Sequence, residues 1–464
     1  MAQRVRAGSL PASLTDMHTV DEMKINGERM LADLYQLRTI TDTPGAGVSR
    51  FSYGEKDGQA RAYITQVAET AGFVVRADAI GNLFIYPGNA SRQYKGDIVE
   101  LQDIDEAEAS DGRQNAPRKI RIGSHIDTVR NGGWLDGVYG VIAGLEAMRT
   151  LQESGLQGNS EIDDVSSEHP SIELVIFAEE EGSNFGSTMT GSKFAAGIYG
   201  EEELDSLQND QGTSLRQMLQ QGGFPQYQRE EVVWDFDQVQ AMLEIHIEQG
   251  PVLERKGLSI GVVDVVYGMW VVEFTLQGVG NHAGATPMED RQDALVAAAL
   301  SIAEAEGIAN EDAEGTTVAT VGKINVSPNC SNVIPEKVVF ALEVRDKDAD
   351  RIRLAMEKIK ETIRGIAGQR NVGCEIREVA HSAPIKMDES LKALIAELAS
   401  RAGFSYEIMN SGAVHDTCMV APYAPAGMIF VPSKGGRSHV PFEDTDEEDL
   451  VRGAQLLLDT IRAI

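Results

Sequence analysis

Long apolar runs are missing from this chain of 464 residues. No run approaches the roughly 20 apolar residues that a membrane-spanning helix requires. The first residues, MAQRVRAGSLPASLTDMH, also lack the apolar core of a signal peptide. These absences predict a soluble, cytoplasmic protein that has no membrane partner.

Cysteine and positive charge are scarce as well. The three cysteines, Cys330, Cys374 and Cys418, are far apart, so they form neither a disulfide framework nor a CxxC metal site. With 41 Lys and Arg against 72 Asp and Glu, the net charge is −31. Such a charge repels phosphate backbones and acidic lipids, so it argues against nucleic acid and membrane surfaces as partners.

The length and the apolar content are those of at least two domains. Hydrophobic residues make up 42% of the chain, which is enough to fill more than one core. Short β-rich runs alternate with helical patterns, which predicts an α/β domain with a mixed, largely parallel sheet flanked by helices. Residues 1–22 are polar and predict a flexible tail. Two acid-rich stretches, near 97–116 and 156–170, predict surface insertions.

The sequence pattern changes at about Tyr267. Four strand patterns and two helical patterns follow, and they predict an inserted α+β domain over 267–383 with a four-stranded antiparallel sheet. Residues 23–266 and 384–464 then form the first domain, whose closing helices come after the insertion.

Residues of metal-ligand type follow the predicted strands of the first domain. His125 ends KIRIGSH, Glu180 and Glu181 follow SIELVIFA, His246 belongs to AMLEIHIEQG, and His439 follows GMIFVPS by a few residues. Open α/β sheets place their ligands at the carboxyl ends of the strands. Imidazole and carboxylate groups at these positions therefore predict a site for divalent ions, and they suit zinc, manganese, cobalt and nickel.

The spacing of the acidic residues predicts how the ions are shared. Asp136 follows His125 after a glycine-containing loop, so both side chains can reach one ion, and Asp136 can bridge to a second. Three successive carboxylates, 179–181, repel one another unless cations neutralise them. One of them can then ligate a metal while its neighbour acts as a base. Asp127 is placed to accept the second N–H of a ligating histidine.

Seven motifs occur in a recognisable order: GSHIDTV, NGGWLDGVYG, AEEEGSNFG, LEIHIEQGP, GNHAGATPM, NCSNVIPEKVVFALEVRD and FVPSKGGRSHVPFE. Together they resemble the hydantoinase/carbamoylase-type amidohydrolases of the di-zinc exopeptidase-like superfamily, a group that includes N-carbamoyl-L-amino acid hydrolases and allantoate amidohydrolases. The resemblance covers most of the chain. It implies two divalent ions per subunit, zinc or manganese, with cobalt or nickel as alternatives. It also implies that the inserted domain is a lid and forms a homodimer.

The resemblance further implies a role for each site residue. The ligands form two sets that share one carboxylate: His125, Asp136 and His246 for one metal, and Asp136, Glu181 and His439 for the other. Glu180 is implied to be the general base. His246 favours ureido substrates, because relatives that cleave peptides typically have a carboxylate at this position. Four polar residues are implied to bind the substrate carboxylate or the oxyanion: Gln249, His282, Asn332 and Arg345.

These inferences predict an amidohydrolase that cleaves the ureido C–N bond of an N-carbamoyl-L-amino acid, with Glu180 as the proton carrier and His282 beside the oxyanion. The expected products are ammonia, carbon dioxide and the amino acid. Allantoate and ureidoglycolate are alternative substrates, because both present a ureido group near a carboxylate. Two other classes stay open: an aminoacylase or small peptidase on the same fold, and a non-catalytic, metal-stabilised protein that binds carboxylates.

Overall fold

The computed structural model of the protein describes residues 23–88, 118–155, 171–312 and 314–464. The predicted tail and the two predicted acid-rich insertions lie outside these residues. The chain divides into two compact units. The first unit comprises the described residues within Met1–Asp264, Met387–Met409 and His415–Ile464, and the second comprises those within Val265–Lys386 and Asn410–Val414.

Strands and helices alternate through most of the described residues. The strands are β1 (Phe73–Ala77), β2 (Leu83–Pro87), β3 (Lys119–His125), β4 (Ser171–Phe177), β5 (Val239–Ile247), β6 (Ile260–Val266), β7 (Gly268–Gln277), β8 (Val318–Ser327), β9 (Lys337–Asp346), β10 (Gly373–Ser382), β11 (Ile385–Lys386), β12 (Tyr406–Ser411) and β13 (Ala426–Val431). The helices are α1 (Gly27–Arg38), α2 (Glu55–Thr70), α3 (Val138–Glu153), α4 (Thr190–Ala195), α5 (Glu201–Ser206), α6 (Leu215–Gln221), α7 (Arg229–Val232), α8 (Val252–Lys256), α9 (Ala294–Asn310), α10 (Ala349–Gln369), α11 (Glu389–Arg401), α12 (Thr417–Val420) and α13 (Glu447–Ala463).

The larger sheet is mixed and has the strand order β1-β2-β4-β3-β5-β13-β6-β11, with β12 paired to β6. Its centre is parallel, because β3 pairs in parallel with β4 and β5, and β5 pairs in parallel with β13. The pairs β1–β2, β2–β4 and β6–β13 are antiparallel. The predicted mixed, largely parallel sheet is therefore confirmed. The parallel arrangement brings the carboxyl ends of the four central strands to one edge of the sheet.

The core of the first unit forms between this sheet and its helices. Helix α3 is largely apolar and is buried along nearly its whole length, as expected for a helix inside a domain. Helix α1 begins at Gly27 because the side chain of Asn26 accepts a hydrogen bond from the main-chain N–H of Arg29. Its apolar face, Met30, Leu34 and Leu37, is fully buried.

The second unit contains the four-stranded antiparallel sheet and the two long helices that the sequence predicts. The strand order is β10-β7-β9-β8, and α9 and α10 pack against it around one apolar cluster. Residues 410–414 also belong to this unit, although the sequence pattern predicts them in the first domain. The reason is two hydrogen bonds: Tyr267 N–H donates to the Ser411 carbonyl, and the Arg345 guanidinium donates to the Gly412 carbonyl.

No helix within the described residues is both long enough and apolar enough to span a bilayer.

Candidate metal centre

The ends of three neighbouring strands supply buried ionisable side chains. His125 is the last residue of β3, His246 lies near the end of β5, and the chain leaves β4 through Glu179 to Glu180 and Glu181. Glu179 has a positive φ of 54°, which is uncommon for a residue other than glycine and marks a turn where the chain leaves β4. Both histidines are almost completely buried. The sheet topology therefore gathers imidazoles and carboxylates that are far apart in the sequence.

His125, Asp136 and His246 form the first group of candidate ligands. One ligand atom of each residue lies within 4.8 Å of the others. Asp136 Oδ1 is 3.6 Å from His125 Nε2 and 3.1 Å from His246 Nε2. The opposite ring nitrogens face main-chain carbonyls, with His125 Nδ1 at 3.1 Å from the Asp127 carbonyl and His246 Nδ1 at 2.9 Å from the Ile247 carbonyl. These carbonyls hold a proton on Nδ1 and direct Nε2 towards the centre of the group.

Asp136, Glu181 and His439 form the second group, whose ligand atoms also lie within 4.8 Å of one another. His439 Nε2 is 3.1 Å from Asp136 Oδ2 and 3.5 Å from Glu181 Oε2. Asp136 thus presents Oδ1 to the first group and Oδ2 to the second. Among the described residues, Glu181 Oε1 is buried without a hydrogen-bond partner.

The pKa values of these groups reflect charges held out of water. Burial raises the pKa of Glu180 well above its usual value and that of Glu181 to about 7. The hydrogen bond to Asp136 raises the pKa of His439 to about 9. Burial alone would raise the pKa of Asp136, but the three surrounding imidazoles outweigh it and hold this pKa well below its usual value. A divalent cation would neutralise these carboxylates and use the unpartnered oxygen, so the residues fit a metal centre.

Glu180 lies beside the first group, and its Oε2 is 3.7 Å from His125 Nε2. The turn that carries it is fixed by Asp127, whose carboxylate accepts hydrogen bonds from the main-chain N–H groups of Glu180 and Glu181. The contacts of the Asp127 side chain differ in part from its predicted role, which is to accept the second N–H of a ligating histidine. Its main-chain carbonyl is the closer acceptor for His125 Nδ1, while its carboxylate oxygen is 3.6 Å from that nitrogen. The carboxylate already accepts the two main-chain N–H groups, so it orients the glutamates.

Gly137 and Gln249 complete the surroundings of Asp136. Gly137 has a φ of +64°, and a Cβ atom built there would lie 2.5 Å from the His125 ring, so only glycine fits without displacing the imidazole. Gln249 donates from Nε2 to Asp136 Oδ2 at 2.8 Å, while its Oε1 is buried without a partner among the described residues. The predicted substrate-binding residue Gln249 therefore lies directly against the shared carboxylate.

His282 and Asn332 lie close together in the second unit. The main-chain N–H of Ala283 donates to the Asn332 carbonyl, and His282 forms an isolated β-bridge with Val333. His282 Nδ1 accepts hydrogen bonds from the N–H groups of Gly284 and Ala285, at 3.1 Å each. A neutral imidazole that accepts at Nδ1 carries its proton on Nε2. The exposed imidazole of His282 is thus prepared as a hydrogen-bond donor.

Arg345 belongs to β9 in the same unit. Its guanidinium donates from Nε and Nη2 to the carboxylate of Glu343, at 2.6 and 3.2 Å, and from Nη1 to the Gly412 carbonyl at 2.7 Å. A guanidinium has five N–H donors, so two remain for a ligand. Arg345 is therefore held in a defined orientation by its own chain and keeps donors for a carboxylate.

Two further residues contact the shared carboxylate, although the sequence did not point to them. The Ser438 hydroxyl lies 3.0 Å from Asp136 Oδ2, and Glu443 accepts hydrogen bonds from the main-chain N–H groups of Leu135 and Asp136. Both lie within the motif FVPSKGGRSHVPFE. Glu443 begins a run of acidic residues, and nothing in that composition separates one buried carboxylate from its solvated neighbours.

Comparison with known proteins places the chain among amidohydrolases. It is 34% identical to an N-carbamoyl-L-amino-acid amidohydrolase of Paenarthrobacter aurescens, over 95% of this chain and 98% of the relative. It is 32% identical to an allantoate amidohydrolase of Bacillus subtilis, over 95% and 99%. The crystal structure of an amidase of the hydantoinase/carbamoylase family from Burkholderia multivorans superimposes with a TM-score of 0.79 at 31% identity, covering 95% of this chain and 98% of that one.

These matches confirm the predicted resemblance, and the chain is a hydrolase that acts on C–N amide bonds. The non-catalytic alternative is thereby set aside. The family model of peptidase family M20/M25/M40 matches residues 122–463. This range includes every candidate ligand of both groups, and the chain belongs to peptidase family M20/M25/M40.

Proposed function

We propose that the protein cleaves the ureido C–N bond of an N-carbamoyl-L-amino acid and releases ammonia, carbon dioxide and the amino acid. One observation carries this proposal. Two groups of candidate ligands share the carboxylate of Asp136, and the carboxylate of Glu180 lies beside them without being a member of either group. A shared ligand with a free carboxylate next to it suits a two-metal site in which a metal-activated water is the nucleophile and the carboxylate is its base.

The family is metal-dependent, and both groups consist of residues that bind divalent ions. In our proposal, one ion is held by His125, Asp136 and His246, and a second by Asp136, Glu181 and His439. Zinc and manganese suit these ligands, with cobalt and nickel as alternatives. When bound, such ions lower the pKa of a coordinated water and polarise the carbonyl that is attacked.

The side chains then move the protons and hold the substrate. Glu180 accepts a proton from the attacking water and delivers it to the leaving nitrogen, so that ammonia departs. The remaining carbamate decomposes to carbon dioxide and the amino acid. His282 donates from Nε2 to the developing oxyanion, and the two remaining donors of Arg345 bind the substrate carboxylate. Gln249 and Asn332 supply further polar contacts to the substrate.

His246 supports a ureido substrate, because it places an imidazole where peptide-cleaving relatives typically have a carboxylate. Allantoate and ureidoglycolate remain alternatives, since the matched relatives include enzymes named for each of them. Both molecules carry a ureido group and a carboxylate, so the same donors would serve them. The substrate side chain is what separates these candidates.

A substrate panel tests the proposal. We expect the metal-loaded protein to hydrolyse an N-carbamoyl-L-amino acid with the highest kcat/KM in the panel and to release equal amounts of ammonia and carbon dioxide. The N-carbamoyl-D-amino acid is the matched control and should react slowly, because a mirror-image centre cannot present its carboxylate and ureido group in the same positions. Ammonia and carbon dioxide are measured in each reaction.

Other outcomes of the panel assign the alternatives. A higher kcat/KM for allantoate or ureidoglycolate would replace the proposed substrate but keep the chemistry. Release of an acid and an amine from N-acyl amino acids, without carbon dioxide, would make the protein an aminoacylase or peptidase.

We also propose that two copies of the chain form a dimer through the second unit. Strand β8 is the last strand of its sheet, so its outer edge has main-chain groups without a neighbouring strand in the described structure. Apolar side chains are exposed along β8, at Val318 and Ile324, and along α9, at Leu295, Val296 and Leu300. An exposed strand edge with apolar neighbours is suited to symmetric pairing with a second copy.

Mixed dimers test whether His282 acts on the site of the neighbouring subunit. We expect Glu180→Gln and His282→Ala each to be nearly inactive, the second through loss of an oxyanion donor, which typically costs ~10²–10³ in kcat. When the two variants are co-expressed, random pairing makes about half of the dimers mixed. Each mixed dimer has one site with both groups intact, so about a quarter of wild-type activity should return.

The matched control co-expresses Glu180→Gln with Asp136→Asn. Both changes fall in the first unit, so every site keeps one defect and no activity should return. If the pair that includes His282→Ala also fails to recover, with mixed dimers confirmed by mass spectrometry, His282 does not act across the dimer.

A further inference from the structure

Glu443 is a buried carboxylate that no step of the proposed mechanism uses. It is 2% exposed and lies between His439 and α13. Among the described residues it forms no ion pair with Lys or Arg, and it accepts three hydrogen bonds instead. Oε1 accepts from the main-chain N–H groups of Leu135, at 2.9 Å, and Asp136, at 3.0 Å, while Oε2 lies 2.7 Å from the Ser438 hydroxyl. One carboxylate therefore connects two loops that each carry a candidate metal ligand.

The loop before α3 is shaped around this carboxylate. A Cβ atom built on Gly133 would lie 1.9 Å from Glu443 Cδ, so the glycine provides the space that the carboxyl group occupies. The indole N–H of Trp134 donates to the Glu443 main-chain carbonyl at 3.0 Å. Glu443 is thus held by its main chain and its side chain, and a buried acceptor with so many donors is expensive to remove.

The position of the His439 ring depends on the backbone of its loop more than the positions of the His125 and His246 rings do. His125 and His246 are buried, and a main-chain carbonyl fixes the second nitrogen of each ring. The His439 side chain is 49% exposed, and in the described part of the chain its contacts run through Nε2. Its position is therefore set by the backbone next to it, where Ser438 contacts both Glu443 and Asp136.

We propose that Glu443 is a positioning residue that holds Asp136 and the Ser438–His439 loop in the geometry needed to bind the ion of the second group. The inference rests on the metal centre proposed above. Loss of the carboxylate leaves two buried N–H groups without an acceptor and frees the loop that carries His439. Metal binding by the first group is less sensitive to loss of the Glu443 carboxylate, because the two histidines of that group keep their main-chain partners.

Zinc titration of the metal-depleted protein, in competition with a chromophoric chelator, tests this inference without measuring activity. We expect the wild type to bind two zinc ions, and we expect Glu443→Ala to weaken the weaker binding step by ~10–100-fold while changing the tighter step by less than about threefold. Glu443→Gln should restore wild-type binding, because its amide oxygen accepts both N–H groups and its amide nitrogen donates to Ser438.

Glu146→Ala is the matched control. Glu146 is also fully buried and accepts a main-chain N–H, from Asn26, but its ion-pair partners are Arg29, in α1, and Arg149, in α3. Its loss should lower the melting temperature and leave both zinc affinities unchanged. If Glu443→Ala binds zinc like the wild type, or weakens binding no more than Glu146→Ala does, the inference is wrong.

A second variant covers the case in which Glu443→Ala does not fold. Ser438→Ala removes only the hydroxyl between Glu443 and Asp136, and we expect it to weaken the second zinc step by about tenfold. Wild-type affinity in a folded Ser438→Ala protein would overturn the inference. A wild type that binds no zinc, manganese, cobalt or nickel would instead refute the proposed metal centre itself, so the two failures are distinguishable.

Discussion

Replacing Glu180 with glutamine is expected to lower kcat by at least ~10³-fold while both metal ions stay bound. Glutamine has the shape of glutamate but cannot accept a proton from water and return it to the leaving nitrogen. Glu180 is not a member of either ligand group, so its replacement removes no ligand. The loss should therefore appear in kcat, with KM changed little, in steady-state assays of the metal-loaded variant.

Glu179→Gln is the control for this experiment. Glu179 is the neighbouring residue and is also buried, but its Oε1 accepts the main-chain N–H groups of Asn184 and Phe185. Glutamine keeps that acceptor oxygen, so kcat should stay within a few-fold of the wild type. A Glu180→Gln protein with two bound metals and near-wild-type kcat would assign the base to another residue. Metal analysis of both variants makes that comparison valid.

Removal of the metals is expected to abolish activity without unfolding the protein. The first unit has a continuous apolar core between the mixed sheet and its helices, and this core does not include the ligands. A core of that size should survive loss of the ions, unlike a small zinc domain that folds only around its metal. Dialysis against a chelator should leave the far-ultraviolet circular dichroism unchanged, and addition of zinc or manganese should restore activity directly.

The recovery of activity on adding metal should depend on pH, with tighter metal binding at higher pH. Hydrogen bonding to Asp136 raises the pKa of His439 to about 9, so the metal-free protein keeps a proton on this imidazole at neutral pH. Burial raises the pKa of Glu181 to about 7, which adds a second proton below that pH. Ligands bind metals in their deprotonated forms, so metal affinity should rise about tenfold per pH unit for each proton released.

Recovery should therefore need much less metal at pH 8 than at pH 6. Global unfolding on chelation would identify the ions as structural. Recovery that is independent of pH would mean that His439 and Glu181 are not ligands.

The positions of the candidate ligands could be predicted because the signals are local. An apolar run that ends in His125, or that is followed by Glu180 and Glu181, shows both the strand and the point where it ends. Parallel packing then brings such ends together whatever their distance in the sequence. The same reasoning predicts the second sheet, since its strands and helices form one continuous segment.

Other features depend on contacts that no local pattern contains. Residues 410–414 follow a segment of the first domain in sequence, and only the folded structure shows that they belong to the second unit, where Tyr267 and Arg345 donate hydrogen bonds to them. Asp127 has two possible acceptors for His125, and only the folded geometry shows that the main-chain oxygen is closer. Glu443 is 308 and 307 positions from Leu135 and Asp136, whose N–H groups it accepts, so these partners are visible only in three dimensions.

The strand order of the larger sheet has a consequence for synthesis on the ribosome. β13 lies between β5 and β6, although the whole of residues 265–386 is made before it. During that interval the nascent chain presents two apolar strands whose facing edges have no neighbour. Unpaired apolar edges are the surfaces through which incomplete chains associate. Until β13 emerges and fills the gap between β5 and β6, the growing polypeptide is therefore more open to such association than the finished chain.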